Sequence, residues 1–307
     1  MRFWTHDRLL FPLPPGHRFP LGKYRALRER VEAEGLGPVE EAPGASWESL
    51  ALVHDRAYLE RLRDGGLTRR EERALGLPWS PELVERGRHS SQGTVEAARD
   101  AAREGFGMNL GGGTHHAAHA AARGYCLFND VVLAIRVLRR EAVAQRFLVI
   151  DTDVHQGDGT AELLADDPGA YALSIQGGGN YPFVRAVGDL DVDLPNGTGD
   201  EGYLTAMSEA LDHAMPTARP DLMVFIAGAD PWEGDALGRL ALTKSGLRAR
   251  DALVLERAAS LGVPLCTVLG GGYAPDIADT VEINLATARA IASRHDAGRA
   301  TSDYLAS

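Results

Sequence analysis

A series of short apolar runs, each ending in a polar or glycine-rich turn, limits the folds open to this chain more than any other feature. The runs are Met108 to Leu110, Phe147 to Ile150, Tyr171 to Ile175, Leu222 to Ile226 and Leu265 to Leu269. They are too short for buried helices and read as strands covered on both faces. Between them lie stretches with helical spacing. Val131, Val132, Ile135 and Leu138 make one apolar face, and Leu247, Leu253, Val254, Leu255 and Ala258 contribute to another. Ser80-Pro81-Glu82 is a helix start, with Ser as N-cap and Pro at the first helical position. Strands alternating with helices predict an α/β protein of three layers, α/β/α, built on a mostly parallel sheet.

At 307 residues the chain is long for one ordinary domain, but α/β folds of this size form single units. No linker, repeat or low-complexity segment divides it, so one domain over 1–307 is expected. A net charge of −11 argues against a general nucleic-acid binder and suits a cationic substrate. Met1 to Leu10 lacks the apolar core of a signal peptide, and no apolar stretch approaches the ~20 residues of a membrane helix. Cys126 and Cys266 are too few for a disulfide framework, which points to a reducing, cytoplasmic setting with both thiols in the core. Arg69 to Arg73 reads as a charged surface loop, and the polar tail from Ser293 onward as a fraying end.

Parallel sheets gather ligands at the carboxyl ends of their strands, and there this sequence places its unusual residues. Asp151-Thr152-Asp153-Val154-His155 follows one strand. Residues two apart share a face in extended chain, so Asp151, Asp153 and His155 point the same way. Crowded carboxylates and an imidazole are costly to bury unless a cation compensates them. Asp153 and His155 are candidate metal ligands, with Asp230, after Leu222 to Ile226, as the best third. Oxygen and imidazole ligands without thiolate suit Zn²⁺, Fe²⁺ or Mn²⁺. His115-His116, after Gly111-Gly112-Gly113-Thr114, suggests a proton-handling pair, with Asp151 and Asp158 as the acceptors available to orient it. His119, in an alanine-rich stretch, reads as a packing or surface residue. Tyr273, directly after Gly270-Gly271-Gly272, is placed to donate to a developing oxyanion or to be an ordinary loop tyrosine.

Taken together, these motifs resemble the histone deacetylase family, within the arginase-deacetylase superfamily. The matching stretches are Gly113 to Ala117, Gly124-Tyr125-Cys126-Leu127-Phe128-Asn129-Asp130, Asp151 to Thr160, Ala227 to Asp230 with Glu233-Gly234-Asp235, and Leu269 to Tyr273. They stand in the family's order and cover roughly Arg18 to Ala292. His17-Arg18-Phe19-Pro20, Lys23-Tyr24, His155-Gln156-Gly157 and Trp232 to Leu240 look most like the class IV branch and its bacterial relatives. Asp158 departs from that branch, which commonly carries Asn there, and is similar to class I.

The resemblance implies an eight-stranded sheet and metal-dependent hydrolysis of acyl-lysine, in a protein or a small acylated amine. It implies Asp153, His155 and Asp230 as zinc ligands, with Fe²⁺ as an alternative. It further implies His115 and His116 as general base and its electrostatic or acid partner, oriented by Asp151 and Asp158, and Tyr273 as the carbonyl-polarising phenol. Gly124, Tyr125, Tyr181, Leu237 and Gly271 match substrate-contacting positions. Asp151, Asp153, His155 and Ser174 match a structural potassium site. Leu237 stands where polyamine-preferring members carry Glu, which makes polyamines poorer candidates. An arginase-type ureohydrolase would need a second aspartate cluster, and after Asp230 the chain has Pro231 and Trp232. A non-catalytic acyl-lysine binder would have lost part of the set.

Overall fold

The computed structural model describes the backbone of residues 1–306 and the side chains of residues 1–297. Eight strands form one sheet: β1 Phe3–Thr5, β2 Val39–Glu41, β3 Phe106–Asn109, β4 Phe147–Asp151, β5 Ala170–Gly177, β6 Leu190–Leu194, β7 Leu222–Ile226 and β8 Leu265–Val268. Their order is β2-β1-β3-β8-β7-β4-β5-β6, and every ladder between them is parallel. Ten helices are present among the described residues: α1 Gly22–Ala33, α2 Trp47–Leu50, α3 Arg56–Asp64, α4 Arg69–Leu75, α5 Pro81–Glu104, α6 Asp130–Arg140, α7 Asp158–Leu164, α8 Asp200–Ala218, α9 Lys244–Leu261 and α10 Ile277–Ala306. None of them is long and apolar enough to cross a membrane.

Alternation along the central strands divides the core into two layers. Phe147 and Val149 of β4, with Leu222, Val224 and Ile226 of β7, pack with α5 and α6 residues such as Val95, Val131 and Ile135. Leu148, Ile150, Met223 and Phe225 face the other way, toward Leu27, Tyr203, Leu247 and Leu285 of α1, α8, α9 and α10. Burying both faces is what makes the central strands continuously apolar.

Edge strands break that pattern, and apolar runs do not reveal them. β2 carries two glutamates and β6 alternates as Leu-Asp-Val-Asp-Leu, so each is half exposed, as edge strands tend to be. β1 has only three residues. Arg69 to Arg73, expected as a loop, begins α4 instead. There Thr68 and Glu71 form a reciprocal capping box that satisfies two free helix-end amides, and Gly76 closes the helix at φ 77°. The tail expected to fray from Ser293 continues α10, with His295 buried; the side chains of residues 298–307 lie outside the described residues. Ser80 caps α5 by accepting from Leu83 N, with Pro81 at the first position.

Phe225 is fully buried on β7, which lies between β8 and β4 near the middle of the sheet. Phe225→Ala should cost about 3–5 kcal/mol of unfolding free energy, read as a lower urea midpoint with an unchanged slope. A shift below 1 kcal/mol would contradict this account of the core.

Candidate metal and catalytic site

β3, β8, β7 and β4 are consecutive in the sheet, and their ends are level, since Asp151 pairs with Ile226 and Ile226 with Val268. Four loops that are distant in sequence therefore leave the sheet side by side. The loop after β4 carries Asp153 and His155, and the loop after β7 carries Asp230. One ligand atom from each of the three lies within 4.8 Å of the others. His155 Nδ1 is 2.9 Å from Asp153 Oδ1 and 3.1 Å from Asp230 Oδ2. Gly271 N donates to Asp153 Oδ2, and Val154 N to Asp230 Oδ1 at 2.9 Å. A Cβ on Gly271 would sit 1.9 Å from Asp230 Oδ2, so only glycine lets this backbone close on the carboxylates.

The electrostatics of the trio are those of a cation site. Burial, followed by the charge of Asp153, pushes the Asp230 carboxyl up to about 7. Burial also opposes ionisation of Asp153, but His115 and His155 outweigh it and hold that carboxyl well below its usual range. His155 is pushed up to about 10, because Asp153 and Asp230 together overcome its burial. Two dry carboxylates competing for one proton on an imidazole fit a divalent cation, which would relieve the repulsion and take oxygen and nitrogen donors of this kind.

His115 and His116 follow β3 on a turn pinned by Asp130, the first residue of α6. The buried Asp130 carboxylate accepts from Gly113 N at 3.0 Å, Thr114 N at 2.7 Å and Thr114 Oγ1 at 2.6 Å. Asn129 Nδ2 donates to Ala117 O at 3.2 Å and to Thr160 Oγ1 at 3.0 Å. His54 steadies the far side: its Nδ1 donates to Ala118 O at 2.9 Å and its Nε2 accepts from Asn129 N at 3.0 Å. His119 is exposed and donates to Val53 O at 2.7 Å.

The two histidine rings lie 4.1 Å apart but occupy different environments. His115 Nδ1 is 2.7 Å from Asp151 Oδ2, and His116 Nδ1 is 2.6 Å from Asp158 Oδ1. Burial lowers both. For His115 the charges of Asp151 and Asp153 win, raising it to about 9; for His116 burial and the neighbouring His115 prevail, lowering it to about 4. Asp158 is shared, because Arg123 Nη1 lies 3.2 Å from its other oxygen. Arg123 also donates from Nε to His116 O at 3.1 Å and pairs with Glu162. With Nδ1 committed to Asp158, the Nε2 of a neutral His116 is left as an acceptor.

Tyr273 is fixed through its backbone, whose N donates to Asp235 Oδ2 at 2.6 Å. Lys23, buried, donates to Gly272 O at 3.2 Å and holds its ammonium 5.5 Å from the Tyr273 ring centre. His116, Gly124, Tyr125, Tyr181, Leu237 and Tyr273 all line one pocket of about 500 Å³. Tyr125 sits at φ 68°, a strained value for a side chain of its size, held by its N donating to Leu75 O at 2.7 Å. Gly271 lies deeper, beside a cavity of about 60 Å³ that also touches Asp153 and His155. Ser174 stands opposite Asp151 in the β4–β5 register, and its Oγ is buried without a hydrogen-bond partner.

Sequence reasoning did not assign Arg123 a role, and gave Asp130 none beyond its place in a motif. Asp130 could have been suspected as a carboxylate opening an apolar helix, whose amides it does not cap. Arg123 meets Asp158 and Glu162 only through the fold, and no local pattern marks it.

The chain matches the histone deacetylase domain over residues 17–288. It is 39% identical over 281 residues to an uncharacterized protein of Picosynechococcus sp., covering 90% of this chain and 93% of that one. Histone deacetylase 2 of Arabidopsis thaliana is 33% identical over 87% of this chain and 73% of its own length. The histone deacetylase-like amidohydrolase of Pseudomonas aeruginosa is 29% identical over 85% and 74%. The crystal structure of the HDA15 HD domain superposes with a TM-score of 0.79 at 20% identity, over 95% of this chain and 90% of that one, which shows a common fold.

His54 offers a pH test that does not involve the metal ligands. Burial lowers it to about 4, below an unfolded value near 6.5, so its contribution is present above pH 6.5 and is lost as pH falls toward 4. The stability gap between wild type and His54→Asn should therefore shrink by up to about 3 kcal/mol between pH 7 and pH 4. Urea titrations across that range check it, and a gap independent of pH would refute it.

Proposed function

Because this chain belongs to the histone deacetylase family of hydrolases, we propose that it removes acyl groups from the Nε of lysine, with one divalent cation held by Asp153, His155 and Asp230. The observation that carries this reading is the juxtaposition of that trio with an asymmetric histidine pair and the half-buried Tyr273 phenol, all but Asp230 lining one small cavity. Zn²⁺ is the metal proposed, with Fe²⁺ able to use the same donors. When bound, such a cation lowers the pKa of water and polarises a carbonyl.

The chain's own residues supply the remaining chemistry. The pocket receives the acyl-lysine between Tyr125 and Tyr181, with Gly124 and Leu237 beside them. His116, neutral and with Nε2 free, accepts a proton from the attacking water. His115, charged beside Asp151, stabilises negative charge as the tetrahedral species forms. Tyr273 donates to the oxyanion; its phenol is pushed well above its ordinary value by burial and then by Asp153, so it stays protonated as a donor. Protonated His116 then returns its proton to the departing amine. Asp151 and Asp158 fix the histidine orientations. Asp151, Ser174 and the backbone of Asp153 and His155 are proposed to hold a structural K⁺, a reading supported by the orphaned Ser174 Oγ. Two buried free thiols, Cys126 and Cys266, suit a reducing cytoplasm.

Comparing kcat/KM on acetyl-, butyryl- and myristoyl-lysine peptides, with metal content measured in parallel, tests the substrate class. Inactivity on all three with metal bound would point to another amide. Tyr273→Phe should lower kcat by ~10²–10³-fold with little change in KM. Removal of metal by a chelator should abolish turnover, and added Zn²⁺ or Fe²⁺ should restore it; turnover in a metal-free sample would overturn the mechanism.

A further inference from the structure

The pocket above Asp153, His155 and Asp230 has a charge opposite to that of the protein around it. The chain carries 43 acidic and 32 basic residues, yet the side chains lining this pocket include no carboxylate and two arginines, Arg18 and Arg239. Both arginines are exposed. They come from opposite ends of the sequence. Arg18 precedes α1, and Arg239 follows a turn whose amides, Leu237 N and Gly238 N, donate to Asp235 at 2.8 and 2.9 Å. Arg239 N itself donates to Asn180 Oδ1 at 3.2 Å, so the segment carrying the second cation is held in place. Arg185, on the loop that carries Tyr181 and Phe183, pairs with Asp193 at 3.4 Å. Arg18 and Arg239 have no carboxylate within 4.0 Å among the described residues.

A lysine side chain entering this pocket amide first leaves its main chain and neighbouring residues at the mouth. Basic neighbours would meet two guanidinium groups there, with no carboxylate to answer them. Acidic neighbours would meet two cations with hydrogen-bond donors, the chemistry by which arginine recognises carboxylates. We propose that Arg18 and Arg239 form a carboxylate subsite, so that this protein selects acylated lysines with an anionic group on the amine side of the scissile amide and discriminates against basic sequences. This rests on the reading of the protein as a lysine deacylase. It reverses what the overall charge of −11 suggests, because the local field at the mouth decides which substrate is favoured.

The test uses the metal-loaded full chain and peptides of equal length carrying the same acyl-lysine, flanked on both sides by Glu, Gln or Lys. Wild-type kcat/KM should fall in that order, with about tenfold between Glu and Lys from two exposed pairings, and the spread should narrow as salt rises from about 50 to 500 mM. In the Arg18→Gln/Arg239→Gln double variant the spread should shrink to about twofold. The α-carboxylate source is probed with Nα-acetyl-Nε-acyl-lysine as the acid and as the amide: preference for Glu-flanked peptides assigns the anion to flanking side chains, and preference confined to the acid assigns it to the main-chain carboxylate. Either supports the subsite. Equal or better use of Lys-flanked peptides with no acid preference, or a ranking unchanged in the double variant, overturns it. Peptide binding by fluorescence anisotropy separates the two levels. Tighter binding of the Glu peptide without hydrolysis of any peptide supports the subsite and overturns the deacylase reading.

Discussion

The structure depends on keeping two like charges close together in a dry place. Asp153 and Asp230 come from adjacent strands, and the spacing of a parallel sheet brings their loops side by side whether or not the charges tolerate it. The surroundings are organised around that tension. Amides of Gly271 and Val154 point at the carboxylates, and glycine is required where the backbone closes on Asp230. Arg250, fully buried on α9, donates to Gly228 O behind the Asp230 loop. His155 then leaves one place at which all three donors converge. A cation held there would relieve the repulsion that remains between the two carboxylates.

A second tension separates the paired histidines. Adjacent imidazoles cannot both be charged cheaply, and the partners decide which one is. His115 lies between Asp151 and Asp153, whereas the carboxylate partner of His116 is divided with Arg123. A carboxylate already engaged by a guanidinium supports an imidazolium less strongly. Asp158 in this chain therefore raises the His116 imidazole less than an undivided carboxylate would.

Much of this is legible in the sequence. β4, β7 and β8 were visible as apolar runs because central strands of a parallel sheet are buried on both faces. The groups at their ends were visible because Asp, His and Gly are expensive or unusual directly after such runs. β2 and β6 were hidden because an edge strand need not be apolar, and α4 because the capping box of Thr68 and Glu71 gave helical order to residues that looked merely solvated. Arg123, Lys23 and Asp130 act across contacts of long sequence separation, so local periodicity carries no trace of what they touch.

The position of β8 makes the site a meeting of two parts of the sheet. The last strand in sequence lies between β3 and β7, so strand pairing between the N-terminal group, β2-β1-β3, and the group formed by β7, β4, β5 and β6 runs through it. All three proposed metal ligands belong to the second group. His115 and His116 belong to the first, and Tyr273 arrives with β8 itself. The contacts of His115 with Asp151 and of His116 with Asp158, and of Gly271 with Asp153, therefore tie together parts of the sheet that this strand brings into register. The proposed ligands and the histidine pair thus stand on opposite sides of one four-residue strand.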